Sequence, residues 1–249
     1  MIHLKSDKDI AGIEVSNQII ARAFKFIEKI IEPGIETRII DKEIESFIRS
    51  QKARPAFKGL YGFPAASCIS VNEVVVHGIP GKFMLKEGDI VGIDIGVEKN
   101  DYYGDSARTF KVGDTNPEVE KLCQVTEECL YHGIEQCRDI NTVGDISAAI
   151  QRHAESNGYG VVRELVGHGV GFKPHEDPQV PNYGLPGKGP KLKAGMVLAI
   201  EPMINMGTYK VYVDDDKWTV RTMDHKPSAH FEHSVAILEN GVQILSRIE

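Results

Sequence analysis

Hydrophobic residues recur at helical spacing in four segments of the chain. In the first segment, isoleucines and phenylalanines return every three or four positions from residue 10 to residue 30, and Ser6 or Asp7 is a suitable N-cap. Pro33 and Gly34 interrupt this pattern, so the first helix is expected to end near Ile31. The other three amphipathic segments cover residues 37–51, 117–137 and 143–157. The pattern therefore predicts four helices in two consecutive pairs.

Apolar runs with strand-like spacing follow each pair of helices. In chain order they cover residues 66–71, 74–77, 89–97, 102–112, 161–166, 196–204, 210–213, 218–223 and 231–239. A loop rich in glycine, proline and aromatic residues occupies 55–64, and residues 98–101 have the composition of a hairpin turn. Two helices followed by strands, repeated once, predict a single α+β domain over residues 1–249, with a curved sheet backed by four helices.

One ten-residue pattern occurs twice in the chain. The segment LKEGDIVGID, which ends at Asp94, recurs as LKAGMVLAIE, which ends at Glu201. A second acid follows each copy, namely Asp105 in the first half and Glu232 in the second. Two similar halves can bring these four carboxylates to a common centre, where they repel one another unless cations neutralise them. The repeat therefore predicts a metal site across an internal pseudo-twofold axis.

Composition narrows the class of protein. The 249 residues carry a net charge of −7, which does not favour a nucleic-acid-binding protein, because phosphate binding requires a basic face. No apolar run approaches the roughly 18 residues of a membrane helix. The charged N-terminal segment also lacks the apolar stretch of a signal peptide. The four cysteines have no zinc-finger or Cys-x-x-Cys spacing, so reduced, mostly buried thiols in a cytoplasmic protein are expected.

The sequence context of each acid bears on the metal hypothesis. Asp94 interrupts a β-branched run, where an unpaired buried acid is costly. Each acid alone is equally compatible with an exposed strand position or a salt bridge, but two such acids in each half favour a shared site. His168, in the sequence GHGVG, is the best nitrogen ligand, because the glycines allow close backbone approach. His225 and His230 are weaker candidates for the lining of the site.

The resulting donor set favours a particular kind of metal site. Four oxygen ligands and one nitrogen ligand suit two divalent first-row cations better than a tetrahedral structural zinc. Four carboxylates also balance the charge of two such ions. Because two cations lower the pKa of a bound water, that water is the expected nucleophile. The residues therefore indicate a dinuclear-metal hydrolase.

A series of motifs in this order resembles the type I methionine aminopeptidases (peptidase family M24). The motifs are VVHGIP around His77, ID at Asp94, GDSART at Asp105, GHGVG at His168, PHEDP at His175, IEP at Glu201 and FEHS at Glu232. The resemblance extends over nearly the whole chain. It implies the pita-bread (creatinase/aminopeptidase) fold of two pseudo-symmetric halves, in agreement with the repeat. It also implies a metallo-exopeptidase that removes the initiator methionine of nascent polypeptides when the second residue is small and uncharged.

The resemblance further implies a role for each motif residue. Two divalent ions (Co, Mn, Fe, Ni or Zn) would be held by Asp94, Asp105, His168, Glu201 and Glu232. Asp105 and Glu232 would bridge the two ions, and Glu201 would also shuttle a proton. His175 would hydrogen-bond the scissile amide and its developing oxyanion. His77 would position the substrate, although without the resemblance a histidine in a turn at a strand end is the simpler interpretation.

The same resemblance implies a slot for the methionine side chain. Its lining residues would be Phe57, Leu60, Phe63, Cys68 and Trp218. An aromatic, sulfur-tolerant slot suits an unbranched thioether, although Trp218 is equally compatible with a place in the core. Phe57 and Leu60 stand where bacterial members often carry Cys and Tyr, and the segment GFKP before His175 differs from the usual Arg-containing one. These departures concern the shape of the pocket and not the metal ligands.

Two other functions share parts of this pattern. A proline aminopeptidase or prolidase of the same fold usually carries a large N-terminal domain, for which this chain has no room. A non-catalytic relative that binds ribosomes or nucleic acid would be expected to lose metal ligands, and none is lost here. The chain also shows neither a zinc-binding N-terminal extension nor the helical insert of type II enzymes. We therefore expect a bacterial-type monomer that acts on nascent peptide N-termini, with the ribosome as a candidate partner and with no DNA or membrane partner.

Overall fold

The structure, a computed structural model, describes residues 1–247 and contains the four predicted helices. Their bounds are α1 Asp7–Ile27, α2 Thr37–Ser50, α3 Pro117–Glu135 and α4 Val143–Ser156. Helix α1 ends four residues before the predicted position, because the chain tightens into a turn in which the Ile30 N–H donates to the Ile27 carbonyl. Ile30 and Ile31 still pack against the core from this turn, which explains why the apolar pattern continues beyond the helix.

The first and last helices begin with reciprocal caps. At the start of α1, the Ser6 hydroxyl accepts from the Asp9 N–H while the Asp9 carboxylate accepts from the Ser6 N–H. Thr142 and Asp145 form the same capping box at the start of α4. These local interactions fix where α1 and α4 begin.

Residues 1–247 also contain fifteen strands. In the first half they are β1 Arg54–Pro55, β2 Cys68–Val71, β3 Val74–Val76, β4 Ile90–Lys99 and β5 Tyr102–Lys111. In the second half they are β6 Gly160–Val161, β7 Gly167–Gly169, β8 Glu176–Val180, β9 Val197–Ile200, β10 Met203–Asn205, β11 Val211–Val213, β12 Val220–Thr222, β13 Ser228–His230, β14 His233–Leu238 and β15 Gly241–Ile244. A short 3₁₀ turn, Leu60–Gly62, lies in the predicted loop.

The strands pair in two larger sheets and two smaller ones. The first larger sheet has the order β1-β4-β2 with β5 also paired to β4, and the second has the order β15-β14-β9-β7-β8. The smaller sheets have the orders β13-β10-β6 and β11-β12-β3. Every ladder among residues 1–247 is antiparallel. The pairs β4–β5 and β9–β14 are equivalent in the two halves, because each carries one copy of the repeated pattern.

Hydrogen bonds between β5 and the start of β14 join the two halves. The Glu232 N–H donates to the Ala107 carbonyl over 2.8 Å, and the Ser106 hydroxyl donates to the Glu232 carbonyl over 2.6 Å. The Ser234 hydroxyl donates to the Asp105 carbonyl over 2.7 Å. The acids of the two halves therefore come from adjacent backbone segments.

Several strand predictions were wrong in extent. The predicted strand 161–166 pairs only through Gly160–Val161, and the predicted strand 196–204 divides into β9 and β10 at Pro202, which has no N–H to donate. Strands β7 and β8 were not predicted from the hydrophobic pattern. Strand β7 consists of two glycines around His168, and β8 contains a proline, which it accommodates as the edge strand of its sheet. The two-residue β1 and the last strand, β15, were also missed.

The hairpin β4–β5 sets the relation between the first two acids. Lys99 pairs with Tyr102, so the turn is the two residues Asn100 and Asp101, both with positive φ, rather than the predicted four. In this register Asp94 lies opposite Ala107 and Asp105 lies opposite Gly96. The two acids are therefore diagonal neighbours on one face of the sheet, whereas the predicted four-residue turn at 98–101 would place them directly opposite each other.

The helices cover the face of the strands that points away from these acids. In the first half, α1 and α2 pack on β4 through a core that includes Ile20, Ile40, Ile44, Ile93 and Ile95. In the second half, α3 and α4 pack on β9 and β14 through residues that include Leu122, Ile146, Leu198, Ile200 and Val235. Alternation along β4 places Ile93 and Ile95 in the core and Asp94 on the opposite face. The buried helix contacts thus support the strands from behind.

We expect Ile93→Ala to lower the free energy of unfolding by about 2–5 kcal/mol, because it leaves a cavity in a fully buried site. Ile140→Ala is the matched control, since Ile140 is 82% exposed and surface changes usually cost less than about 0.5 kcal/mol. Urea unfolding of both variants measures the difference. Equal effects of the two substitutions would contradict this assignment of the core.

Candidate metal centre

Apart from the weaker candidates His225 and His230, all the site residues predicted from the sequence line one cavity of about 290 Å³. The predicted ligands in its wall are Asp94 on β4, Asp105 on β5, His168 on β7, Glu201 after β9 and Glu232 before β14. The other predicted residues in its wall are Phe57, Leu60, Phe63, Cys68, His77, His175 and Trp218. The structure therefore brings together side chains from both halves of the chain.

The predicted ligand atoms form overlapping groups of three. In one group, the oxygens of Asp94, Asp105 and Glu232 lie within 4.8 Å of one another. In a second group, the same limit joins His168, Glu201 and Glu232. The His168 Nε2 atom is 3.5 Å from the Glu201 Oε1 atom and 3.8 Å from the Asp105 Oδ2 atom. Because Glu232 belongs to both groups, the arrangement offers two neighbouring positions for cations.

Unpartnered oxygen atoms test whether these residues fit a metal ion. Asp94 Oδ1, Asp105 Oδ1 and Glu232 Oε1 are buried and accept no hydrogen bond within the described structure. A buried carboxylate oxygen without a donor is costly, and bound cations are one of the few ways to satisfy it. The donor set and its unfilled acceptors therefore fit divalent cations.

Burial and mutual repulsion raise the pKa values of the four acids, as expected for carboxyl groups gathered at a cation site. Burial raises the pKa of Asp94 to about 7. Burial, and after it the charge of neighbouring carboxylates, holds the pKa values of Asp105, Glu201 and Glu232 well above their usual range. Without cations these carboxyl groups hold their protons to a higher pH than ordinary carboxyl groups do, and cation binding displaces the protons they hold.

His168 has the electronic form of a metal ligand. Burial, followed by the nearby His175, lowers the pKa of His168 to about 3, so the ring is neutral. Its Nδ1 atom is 2.9 Å from the Gly169 carbonyl oxygen, which can only accept, so Nδ1 carries the proton. The Nε2 lone pair is then directed toward Asp105 and Glu201.

Two further histidines stand beside the ligands. The ring of His175 meets the ring of His168 edge-on, with centroids 4.5 Å apart. His77 follows β3 with a φ of 58°, a strained conformation for a residue with a side chain. Burial lowers the pKa of both residues, so both are neutral near pH 7 and each can donate or accept a hydrogen bond.

An apolar slot opens from the acids. Phe57, Phe63 and Cys68 are buried in a small cluster, against which Leu60 and Trp218 pack. The Phe63 and Trp218 rings meet edge-on with centroids 5.2 Å apart, so Trp218 belongs to the slot and not to either main core. Burial, followed by the charge of Asp94, holds the pKa of Cys68 well above its usual range, and its neutral thiol forms part of an apolar wall.

A glycine in β4 creates room for this slot. A Cβ atom at Gly96 would lie 2.5 Å from Cε1 of Phe57, so only glycine lets the Phe57 ring lie against the strand. The acid-bearing strand and the wall of the slot are therefore packed directly on each other.

Two residues near the cavity were missed or undervalued from the sequence. Tyr61 is 79% exposed, has a φ of 49° and stacks on the His175 ring at 6.3 Å between centroids, at the mouth of the cavity. His230 is buried, and its unpartnered Nε2 atom is 3.9 Å from the Glu201 Oε2 atom. Residues two positions apart on a strand point to the same face, so the spacing from Glu232 was a usable signal for His230. His225, the other weak candidate, contacts Tyr212 instead.

Comparisons with known proteins agree with this geometry. The family model described as metallopeptidase family M24 matches residues 11–239. A methionine aminopeptidase from Clostridium perfringens is 53% identical over 249 residues and covers 100% of both chains. The crystal structure of a methionine aminopeptidase from Thermotoga maritima superposes with a TM-score of 0.98 at 42% identity and covers 100% of both chains.

Prolidases share the same architecture. A prolidase from Pyrococcus furiosus superposes with a TM-score of 0.81 at 26% identity, and the match covers 99% of this chain but 66% of that one. The pita-bread fold implied by the motifs is thus confirmed. No helix within residues 1–247 has the length and apolar character needed to cross a membrane.

The raised pKa values predict how the stability of the cation-free protein depends on pH. Asp105, Glu201 and Glu232 keep protons in the folded state that the unfolded chain releases near pH 4. The folded state then binds more protons, so the free energy of unfolding falls as pH rises from 7 to 8, by about 1.4 kcal/mol per pH unit for each such proton. Histidines with lowered pKa values oppose this trend near pH 7, where the imidazoles of the unfolded chain are still partly protonated, and this opposition fades toward pH 8.

Thermal unfolding with a chelator, in about half-unit steps at pH 7.0, 7.5 and 8.0, measures how the stability of the cation-free protein changes with pH. Excess Mn²⁺ should remove this dependence, because the acids are then ionised in the folded state as well, and should raise the melting temperature through binding. A melting temperature of the chelated protein that rises over this range would contradict the assignment.

Proposed function

We propose, from the premise that this chain belongs to metallopeptidase family M24, that it is a methionine aminopeptidase. It hydrolyses the peptide bond after an N-terminal methionine when the second residue is small and uncharged. The observation that carries the proposal is the position of the unpartnered carboxylate oxygens, which face the same cavity as an apolar, sulfur-containing slot. Full-length similarity to methionine aminopeptidases supports the same reaction.

Five residues of this chain would hold the cations. They are Asp94, Asp105, His168, Glu201 and Glu232. We propose two divalent ions, with Asp105 and Glu232 as the carboxylates that would lie between them. Glu232 belongs to both groups described above, and Asp105 belongs to one of them and lies 3.8 Å from His168 of the other. A set of oxygen donors with one imidazole accepts Co, Mn, Fe, Ni or Zn. When bound, the ions supply polarisation of the scissile carbonyl and a water of lowered pKa.

Glu201 would move the proton in this reaction. Its carboxylate, ionised when the cations are bound, can take a proton from the attacking water and hold it. It then delivers that proton to the nitrogen of the leaving peptide. Its place against the Nε2 atoms of His168 and His230 keeps the carboxyl group at the centre of the cavity.

The two neutral histidines would bind the reacting amide. His175 donates a hydrogen bond to the carbonyl oxygen as negative charge develops there, and a neutral imidazole N–H is a suitable donor. His77, which lies in the cavity wall and has a strained backbone, would contact and position the peptide. Their lowered pKa values keep both rings from adding positive charge beside the cations.

The slot would select the methionine side chain. Phe63 and Trp218 provide the aromatic walls, Cys68 provides a polarisable wall, and Phe57 and Leu60 complete the lining. A flexible thioether makes favourable contacts with aromatic rings and excludes water from the scissile bond. Tyr61, stacked on His175 at the mouth, leaves restricted space for the residue that follows.

The remaining parts of the proposal concern context. We propose residues 1–249 as a single catalytic domain, because the ligands come from both halves. The substrate would be the N-terminus of a nascent peptide, with the ribosome as a candidate docking partner and without DNA. All four cysteines are buried and free of disulfides, which supports a reducing compartment such as the cytoplasm. A monomer suffices, since one chain supplies the whole ligand set.

A peptide assay separates this activity from that of a prolidase. With Mn²⁺ or Co²⁺ present, we expect release of methionine from Met-Ala-Ser, little release from a peptide with a bulky second residue, and no preference for Xaa-Pro substrates. Chelation should abolish turnover, and so should Asp105→Ala and His168→Ala in metal-replete buffer. Preferential cleavage of Xaa-Pro peptides, or a rate unaffected by chelation, would reject the proposal.

The role of His175 has its own test. We expect His175→Ala to lower kcat by about 10²–10³-fold, the usual effect of removing one donor to an oxyanion, while metal content measured by elemental analysis stays unchanged. His132→Ala is the control, since His132 is an exposed residue of α3. A normal kcat in His175→Ala would remove His175 from the catalytic residues.

A further inference from the structure

One buried ion pair lies outside the chemistry described above. The Lys5 ammonium and the Glu176 carboxylate are 2.6 Å apart (Nζ to Oε2), and their side chains are only 1% and 3% exposed. Burying two charges costs several kcal/mol per ion unless further hydrogen bonds compensate. A fully buried pair is therefore weak support for overall stability, and its location suggests a more specific role.

Glu176 closes the loop that carries His175. Its Oε1 atom accepts from the backbone N–H groups of Phe172 (2.6 Å) and Lys173 (2.9 Å), while Oε2 accepts from Lys5. Residues 170–175 connect β7, which contains His168, to β8, which begins at Glu176. Gly169 and Glu176 are partners in the β7–β8 ladder. One carboxylate thus fixes the middle of the loop to its end.

Lys5 attaches this loop to the strand that leads to Glu201. Its stem lies against Gly171, where a Cβ atom would be 3.0 Å from the Lys5 Cε atom, and its ammonium lies 5.5 Å from the centre of the Phe172 ring. The Lys5 N–H donates to the Gly195 carbonyl over 2.7 Å, just before β9. The loop and the start of β9 are therefore bound to the same residue.

The His175 ring depends on the backbone of this loop for its position. Among residues 1–247, the rings of His168 and Tyr61 flank it, a nitrogen of the His175 ring lies within 4.8 Å of an Asp105 oxygen, and no hydrogen bond holds its side chain. Ring contacts permit sliding that a hydrogen bond would prevent. Backbone placement by Glu176, the next residue in the chain, is the strongest restraint on where the imidazole lies.

We propose that the Lys5–Glu176 pair is a positioning device for His175, which holds the imidazole at the place where the scissile carbonyl develops charge. The inference rests on the proposed aminopeptidase function. Glu176 and Lys5 are positioning residues, because neither lines the cavity of about 290 Å³ in which the five proposed ligands meet. Loss of the pair should loosen residues 170–175, move the His175 donor and lower kcat, while the metal ligands and the methionine slot remain in place.

Three variants separate positioning from general stabilisation. Glu176→Gln keeps the shape and one acceptor but leaves Lys5 unpaired. The double variant Lys5→Met/Glu176→Gln removes both charges, a replacement that is often neutral for stability. It still deprives the Phe172 and Lys173 N–H groups of a charged acceptor. Glu98→Gln is the matched control, since Glu98 is also buried and paired with an arginine, and also accepts a backbone N–H, at the far end of β4.

We expect Glu176→Gln and the double variant to lower kcat for Met-Ala-Ser about tenfold to a hundredfold, with KM changed by less than about threefold, since displacements near 1 Å have effects of this order. Mn²⁺ affinity from calorimetry should match the wild type. Hydrogen exchange of residues 170–175 should accelerate in both variants. Glu98→Gln should change neither kcat nor exchange in this loop.

Several results would overturn the positioning role. They are a double variant that regains both the stability and the kcat of the wild type, loop exchange equal to that of Glu98→Gln, and a loss of Mn²⁺ affinity that accounts for the loss of kcat. Failure of the proposed function is distinguishable, because the wild type itself would then release no methionine. Hydrogen exchange would still decide whether the pair holds the loop.

Discussion

Mutual repulsion of four buried carboxyl groups is the constraint around which this protein is built. Asp94, Asp105, Glu201 and Glu232 share one cavity, and three of their oxygens have no hydrogen-bond donor in the described structure. A fold can hold such a cluster only if its strands are stabilised by burial elsewhere, and the helices on the opposite face supply that burial. The raised pKa values reflect the cost of burying these charges close together, and divalent cations offset that cost.

The two halves related by the internal repeat contribute different parts of the site. Each half supplies a strand pair with two acids, and hydrogen bonds such as the one from the Glu232 N–H to the Ala107 carbonyl join the halves. The first half adds most of the apolar slot, through residues such as Phe63, with Trp218 from the second half, and only the second half adds the imidazoles of His168 and His175. In the proposed reaction the symmetric parts of the two halves would bind the cations, whereas the parts that differ would select the substrate and stabilise charge.

Placement of the imidazoles depends on loops rather than on regular strands. His168 stands in a strand of three residues flanked by glycines, and His175 ends a loop that Glu176 and Lys5 hold from within. His77 has a strained backbone conformation. Strain and buried charge near a site are costs that the large isoleucine-rich cores offset.

The sequence alone determined the four helices, the strands β4 and β5, the duplicated acids and the cavity residues named above, because periodicity, capping and motifs are local properties of the chain. It failed at β7 and β8, where glycine and proline hide the strands, and at the diagonal relation of Asp94 and Asp105, which depends on a one-pair difference in turn length. Tertiary structure alone decided which oxygens lack donors, where Tyr61 stacks, and that Lys5 meets Glu176. Those features arise between residues as far as 171 positions apart, and no local pattern encodes a contact that only the packed fold creates.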